Sequence, residues 1–331
     1  MSVEKTDVLV VGAGQAGVAM SEHLSRAGIP HLVTERGRIA ERWRSARWDS
    51  LVANGPAWHD RFPGMEFRGG PDRFVPKEQI ADYFVAYAKK ISAPIRCGVE
   101  VTRVERNVGR PGFCIATSAG PIEARYVVAA TGPFQVPIIP PFVPQTAAIT
   151  QLHSASYRNP GQLPNGAVLV VGAGSSGVQI ADELSHAGRR VYLSVSIHDR
   201  PPRSYRGRDF CWWLGVLNKW DAETTAGVEH TTIAVSGAYG GRTIDFRRLA
   251  RQGITLLGKT EAFENGVMRF AGDLATNIER GDATYLSLLD EADAFVARNG
   301  LTLPDEPQAR ELLPMPECAT HPILALDLEQ A

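Results

Sequence analysis

No stretch of this 331-residue chain stays apolar for the roughly 18 residues that a membrane-spanning helix needs. Apolar residues begin a strand within a few positions of Met1, which leaves no room for a secretory leader. Cysteine is scarce: Cys97, Cys114, Cys211 and Cys318 are scattered and form no C-x-x-C pair. That argues against a disulfide framework, a zinc site or a redox-active dithiol, and it predicts a reducing, cytoplasmic setting. Neither sign of charge dominates, the formal net charge being −1, so nucleic acid and anionic membrane surfaces are not expected partners. No spacing of serine, histidine and aspartate suggests a hydrolase, and no metal is expected. What remains is ordinary material for a soluble α/β protein: 44% hydrophobic and 21% charged residues, in a length that suits about two domains.

The strongest local signal spans residues 7–17, DVLVVGAGQAG. An apolar strand runs into Gly12, Ala13, Gly14, Gln15, Ala16 and Gly17, and a helical pattern follows to residue 27 with Gly28 as its stop. In a G-x-G-x-x-G turn the first glycine allows the tight bend and the second admits a pyrophosphate. The third lets helix and strand pack, and the helix N-terminus supplies free N–H groups and a positive dipole end. A short strand over residues 31–34 then ends on Glu35, about 20 residues beyond the fingerprint, where a carboxylate binds a ribose hydroxyl. A solvated glutamate at a strand end is the plainer alternative.

From Gly37 to Val75 the pattern loses its period while keeping Trp43, Trp48, Trp58 and many arginines. An aromatic-rich loop of this length reads as the lining of a bound ligand. Pro76 opens a helix to Ile91, with Ile80, Tyr83, Phe84 and Tyr87 on one core-facing side. Three β segments follow, at 95–105, 112–118 and 122–130, as a meander that ends in Ala130, Thr131 and Gly132. Residues 133–144 hold five prolines and form a stiff connector, with a domain boundary expected at 145/146.

Beyond the connector the opening motif recurs. Residues 168–188 match residues 8–28 at thirteen of twenty-one positions, with a constant offset of 160. Two strand–fingerprint–helix units imply two Rossmann-like domains with parallel sheets, over 1–145 and 146–331. The second fingerprint carries Gly172, Gly174, Ser175, Ser176 and Gly177. The position equivalent to Glu35 is Val195, followed by Ser196, Arg200 and Arg203. Serines and arginines at a strand end suit a 2′-phosphate that a carboxylate would repel, so NADPH is expected here, with a solvated basic loop as the alternative. The pair Trp212 and Trp213 reads more as buried packing than as a pocket cap. An amphipathic helix is expected over 282–298, and a short terminal helix over 326–331.

The pair GAGQAG and GAGSSG, with VVAATGPFQVP between them, resembles the flavin-containing monooxygenase-like superfamily over essentially the whole chain. The likeness is greatest to its bacterial flavoproteins, related to Baeyer–Villiger and N-hydroxylating enzymes. The resemblance implies FAD at the first fingerprint and NADPH at the second. It places Gly12 to Gly17, Glu35 and Arg36 on the ADP moiety of FAD, Val101 at adenine, and Ala130, Thr131 and Gly132 at the flavin-side turn. Trp43 and Arg44 match a stretch beside the flavin. Asn54 matches an asparagine that hydrogen-bonds near the reactive edge of the ring. Arg200 and Arg203 would hold the 2′-phosphate.

Two features depart from that pattern. The linker motif F-x-G-x-x-x-H-x-x-x-Y keeps His153 and Tyr157, but has Ala147 and Ile149 at its first two positions. A final segment that returns to the FAD domain is also expected in the family and is missing here, so the chain reads as a fragment or a shortened form. The implied activity is NADPH-driven oxygen transfer through a C4a-(hydro)peroxyflavin to an unidentified small organic substrate, with dioxygen as co-substrate. Asn54, Trp58, His59, Trp212 and Trp213 would line the substrate site. An NADPH:acceptor reductase and a non-catalytic dinucleotide-binding protein are the alternatives. A homo-oligomer is left open.

Overall fold

The computed structural model describes residues 3–141, 143–144, 149–223 and 232–328. The sequence builds the first sheet from β1 (Glu4–Val11), which runs into α1 (Gln15–Arg26) and β2 (His31–Glu35). The aperiodic stretch that follows is not a bare loop. It holds α2 (Glu41–Ser45), β3 (Val52–Pro56), α3 (Ala57–Asp60) and β4 (Phe74–Pro76). Then come α4 (Lys77–Lys90), β5 (Ile95–Cys97), β6 (Val101–Arg106), β7 (Phe113–Thr117) and β8 (Ile122–Ala129). The six-stranded order is β5-β2-β1-β8-β7-β6, with β1 parallel to β2 and β8, and β7 antiparallel to both β6 and β8. Alternation in β1 divides the core between two faces. Val8 and Val10 pack with Ala13, Leu24 and Val33, while Leu9 packs with Leu32, Ile115, Ile122 and Ala124.

The expected strand over 95–105 is two strands. Gly98, at φ 73°, turns the chain between them, so β5 extends the parallel sheet beside β2 whereas β6 opens the meander beside β7. The aromatic face of α4 is core, as its period indicated. Phe62 packs 4.5 Å from Tyr87, and the Tyr83 hydroxyl accepts from the Phe62 N–H and donates to the Met65 carbonyl.

After the connector come β9 (Val168–Val171), α5 (Ser175–His186) and β10 (Val191–Ser194). Short pieces follow: β11 (His198–Asp199), β12 (Ser204–Tyr205), β13 (Arg208–Asp209), α6 (Phe210–Val216) and β14 (Thr232–Ile233). Then α7 (Phe246–Arg251) leads to β15 (Thr255–Leu257), β16 (Thr260–Glu264), β17 (Val267–Phe270), α8 (Leu274–Asn299), α9 (Glu317–Thr320) and β18 (Ala325–Asp327). Strands β15, β10 and β9 form a parallel sheet, and β16, β17 and β18 an antiparallel one.

Two expectations fail in this half. The end of the chain is a strand, with Leu326 opposite Met268, and not a helix; residues 329–331 of that segment lie outside the described residues. Helix α8 starts at Leu274 and not at 282, because Leu274, Asn277, Ile278 and Gly281 continue its buried face. No helix among the described residues is long and apolar enough to cross a membrane.

The chain divides into two units. One comprises Met1–Leu51, Asp60–Pro71 and Val75–Ile138; the other comprises Val52–His59, Asp72–Phe74 and Ile139–Ala331. The division falls inside the proline-rich connector. It is not contiguous in sequence, since β3 and its asparagine belong with the later residues.

A buried ion cluster sits in the second unit. Oδ1 of Asp282 accepts from Nε and Nη2 of Arg200 at 2.9 and 2.5 Å, and its Oδ2 lies 2.6 Å from Nη1 of Arg247. All three residues are at most 5% exposed. The Arg200 guanidinium also lies 4.4 Å from the centre of the Tyr285 ring, which offsets part of the second positive charge. Removing the only carboxylate of this trio would leave two cations buried and unpaired. Asp282→Ala is therefore expected to lower the unfolding free energy by about 3–5 kcal/mol, read as a shift of the urea midpoint. A midpoint within experimental scatter of the parent would contradict this account.

Candidate dinucleotide-binding sites

Each fingerprint is closed by backbone lying on backbone. A Cβ on Gly17 would overlap the Gly12 carbonyl oxygen, and a Cβ on Gly177 would overlap that of Gly172. Gly12 and Gly172 take φ values of 108° and 100°, where side chains are strained. The likeness extends to the far helix ends. Gly28 donates to Ser25 O and Ile29 to Leu24 O; Gly188 donates to Ser185 O and Arg189 to Leu184 O. Both ends are the same glycine-centred cap, so thirteen identities reflect one structural unit used twice.

At the first copy the mouth of the turn is open. A Cβ on Gly14 would meet nothing within 4 Å, and no side chain caps the first turn of α1. The unpaired N–H groups around Gln15 and Ala16 are thus available to an anion. Glu35 stands at the end of β2 and is tied into the turn: its Oε2 accepts from Ala13 N at 2.9 Å and its Oε1 from Gly37 N at 2.8 Å. Each oxygen keeps a lone pair for a ribose hydroxyl. Val99 N–H bonds the Glu35 carbonyl, which brings the chain leading to Val101 past the same strand end. Ala130 N–H donates to Val11 O, and Ala130 O lies 2.5 Å from where a Gly12 Cβ would stand, so the turn at Thr131 and Gly132 closes over the fingerprint. These residues fit an ADP group.

The neighbours of this site are partly engaged. Arg36 donates to the Gln135 side chain, which itself donates to the Thr131 carbonyl. Gln135 was missed in the sequence, although the GPFQVP string flagged its position. Trp43 meets the edge of Phe84 with centroids 6.5 Å apart, and the Arg47 guanidinium lies between Trp43 and Phe134, 5.9 Å from each ring. Burial draws the Arg47 pKa below its ordinary value. Arg44 pairs with the exposed Asp82.

The second copy differs at its mouth. A Cβ on Gly174 would lie 3.4 Å from Thr232 Cβ, and Ser175 Oγ donates to Ile233 O at 2.7 Å while accepting from Val235 N. The segment from Thr232 to Val235 therefore borders the turn, and Ser175 already has partners. The turn itself, with Ser176 in the first turn of α5 and no side-chain cap, retains the form that receives a pyrophosphate. Val195 is fully buried, so no carboxylate stands at this strand end.

The two arginines expected at a 2′-phosphate are not there to meet it. Arg200 is 3% exposed and committed to Asp282. Arg203 is 6% exposed, and it donates to Asp209 Oδ1 and to the Asn54 carbonyl, each at 2.6 Å. Their positive charge is spent inside the protein. The string of prolines and arginines in sequence cannot distinguish a basic loop facing solvent from one folded inward onto Asp282 and Asp209.

Among the expected lining residues, Trp213 is wholly buried beside Tyr205, Tyr285 and Leu289, and its Nε1–H donates to Tyr205 O. It does not face a ligand. Trp212 packs against the same cluster, and His59 stacks on Trp220 at 5.1 Å, close to Trp58. Asn54 is exposed on β3 with its side-chain oxygen held by Gln179. In the linker motif, Tyr157 OH donates to Glu183 on α5, and His153 Nδ1 accepts from Ala155 N. Ile149 is described, whereas Ala147 lies outside the described residues.

Residues 9–210 match the family described as pyridine nucleotide-disulphide oxidoreductase, although all four cysteines here are free. An uncharacterized CzcO-like oxidoreductase of Geobacillus kaustophilus is 37% identical over 278 residues, covering 82% of this chain and 78% of that protein. An indole-3-pyruvate monooxygenase of Arabidopsis thaliana, YUCCA6, is 30% identical over 65% of this chain and 54% of its own length. The structure of a flavin-containing monooxygenase from Stenotrophomonas maltophilia superposes with a TM-score of 0.62 at 22% identity, covering 81% of this chain and 74% of that one. The chain is an oxidoreductase of the pyridine nucleotide-disulphide oxidoreductase family.

Proposed function

We propose that this chain binds FAD at its first fingerprint and NADPH at its second, and serves as a monooxygenase for a small organic molecule with dioxygen as co-substrate. The observation that carries this reading is the pair of matched glycine turns with different strand ends, Glu35 in one and Val195 in the other. When bound, the flavin supplies the redox chemistry, taking electrons from NADPH and passing them to dioxygen. Everything else is positioning. The N–H groups at the start of α1 hold the pyrophosphate of FAD, and Glu35 accepts from the ribose. Val101 borders the adenine, and Ala130, Thr131 and Gly132 close the turn. Trp43 and Arg44 flank the ring system.

The second fingerprint receives NADPH through the N-terminus of α5. The apolar strand end at Val195 supports NADPH over NADH by lacking a charge that repels a 2′-phosphate. Asn54 offers its side-chain amide as a hydrogen-bond donor to the reacting groups. No side chain is required as a nucleophile.

A visible spectrum tests the reading. The purified protein, or protein reconstituted with FAD, is expected to be yellow and to bleach on adding NADPH without oxygen. A colourless protein that takes up no flavin would sink the proposal. If flavin is reduced but each NADPH oxidised to NADP+ is matched by one hydrogen peroxide formed from dioxygen, whatever organic substrate is offered, the activity is that of a reductase.

Glu35→Gln removes the charge of the acceptor offered to the ribose, worth about 1.5 kcal/mol, and should weaken FAD binding about tenfold by titration calorimetry. Asn54→Ala is expected to lower the turnover of NADPH-dependent oxygen consumption about 10²-fold with KM for NADPH little changed. A KM effect alone would assign Asn54 to nucleotide binding.

A further inference from the structure

Asn54 is exposed, yet it is held at three points. Gln179, on the second turn of α5, donates from Nε2 to Asn54 Oδ1 at 2.9 Å. Arg203 donates from Nη1 to the Asn54 carbonyl at 2.6 Å. The preceding carbonyl, of Ala53, presses on Gly237 so closely that a Cβ there would overlap it. Exposed asparagines on short strands usually need no such fixing, since water satisfies both ends of the amide.

The direction of the amide follows from chemistry. Gln179 also contacts the Val235 backbone carbonyl, at 2.9 Å from the same nitrogen. A carbonyl can only accept, so the Gln179 atom between Val235 O and Asn54 must be Nε2. The atom of Asn54 that faces it must then be Oδ1, and Asn54 Nδ2 points away with its two hydrogens unused by Gln179. Gln179 is 7% exposed, which removes water as a competitor for these bonds. Arg203 in turn is fixed by Asp209, which also caps α6, and lies 5.0 Å from the centre of the Phe74 ring.

The clamp reaches the second fingerprint. Val235 N–H donates to Ser175 Oγ, and Ser175 is the first residue of α5. The chain of bonds thus runs from Ser175 through Val235 and Gln179 to Asn54.

We infer that Gln179 and Arg203 are positioning residues that preset Asn54 with its Nδ2 donor outward, and that the Ser175–Val235 contact links this setting to the second dinucleotide site. This rests on the reading of Asn54 given above, but concerns how it is oriented rather than what it does. A preoriented donor is effective because it does not have to be reorganised when the reacting group arrives.

Two measurements test it. The first needs no cofactor: nitrogen relaxation of the Asn54 side-chain amide, assigned by its loss in Asn54→Ala, should report a rigid group in the parent. In Gln179→Met, which keeps the volume but loses the donor, the amide should become mobile, whereas in Gln179→Glu it should turn over and donate Nδ2–H to the new carboxylate. Equal mobility in the parent and in folded Gln179→Met would overturn the clamp. The second is a double-mutant cycle on oxygen-dependent NADPH consumption by FAD-loaded protein. Gln179→Met should lower turnover about tenfold, and in an Asn54→Ala background it should add nothing, within about twofold. Full additivity would show that Gln179 acts on something other than Asn54. If Asn54→Ala alone has no effect, the catalytic reading of Asn54 fails, and the relaxation data still decide the clamp.

Discussion

The contact between the third glycine and the carbonyl of the first governs both halves of this protein. Gly17 on Gly12 and Gly177 on Gly172 leave no space for even a methyl group, so the helix is drawn against the end of its strand. That closeness aims the open end of the helix at one point just beyond the sheet. It also fixes where the next strand ends, and so where Glu35 or Val195 stands relative to the turn. Sheet order, the covering meander and the glycine caps at Gly28 and Gly188 all fit around this one steric fact.

The two copies share a scaffold and differ at the mouth. At the first, Gly14 faces open space and the carboxylate of Glu35 reaches across to Ala13. At the second, Thr232 approaches Gly174 and the strand end is apolar. The repeated unit presents two helix ends of the same form with no side-chain cap, and the residues around them set what each would admit. Selectivity in such a protein is a property of the few side chains added to a common turn.

Much of this was legible in the sequence because it depends on local pattern. Fingerprints, helix stops and the alternating core of β1 are set by neighbours a few positions away. The aromatic side of α4 could be read from its period alone. Most of what escaped was set by partners remote in sequence. Arg200 meets Asp282, and Arg203 meets Asn54 and Asp209, so charges that looked available for a phosphate are consumed internally. Gly98 splits a continuous β-like run, because a single positive φ sends its two halves to opposite sides of the same sheet. Nothing in the sequence singles out Gln179, and only the fold shows it bonded to a strand residue 125 positions earlier.

That long-range pairing bears on how the chain can be divided. Because Val52–His59 and Asp72–Phe74 belong with the later unit, a cut in the proline-rich connector does not separate two self-sufficient pieces. A fragment beginning at Ile139 would lack β3, and with it the strand against which Gly237 lies and the asparagine that Gln179 holds. The earlier fragment would carry those residues without their partners. Evolution could duplicate the strand–turn–helix unit, but in this chain the copies are no longer interchangeable cassettes: the first half has lent a strand to the second.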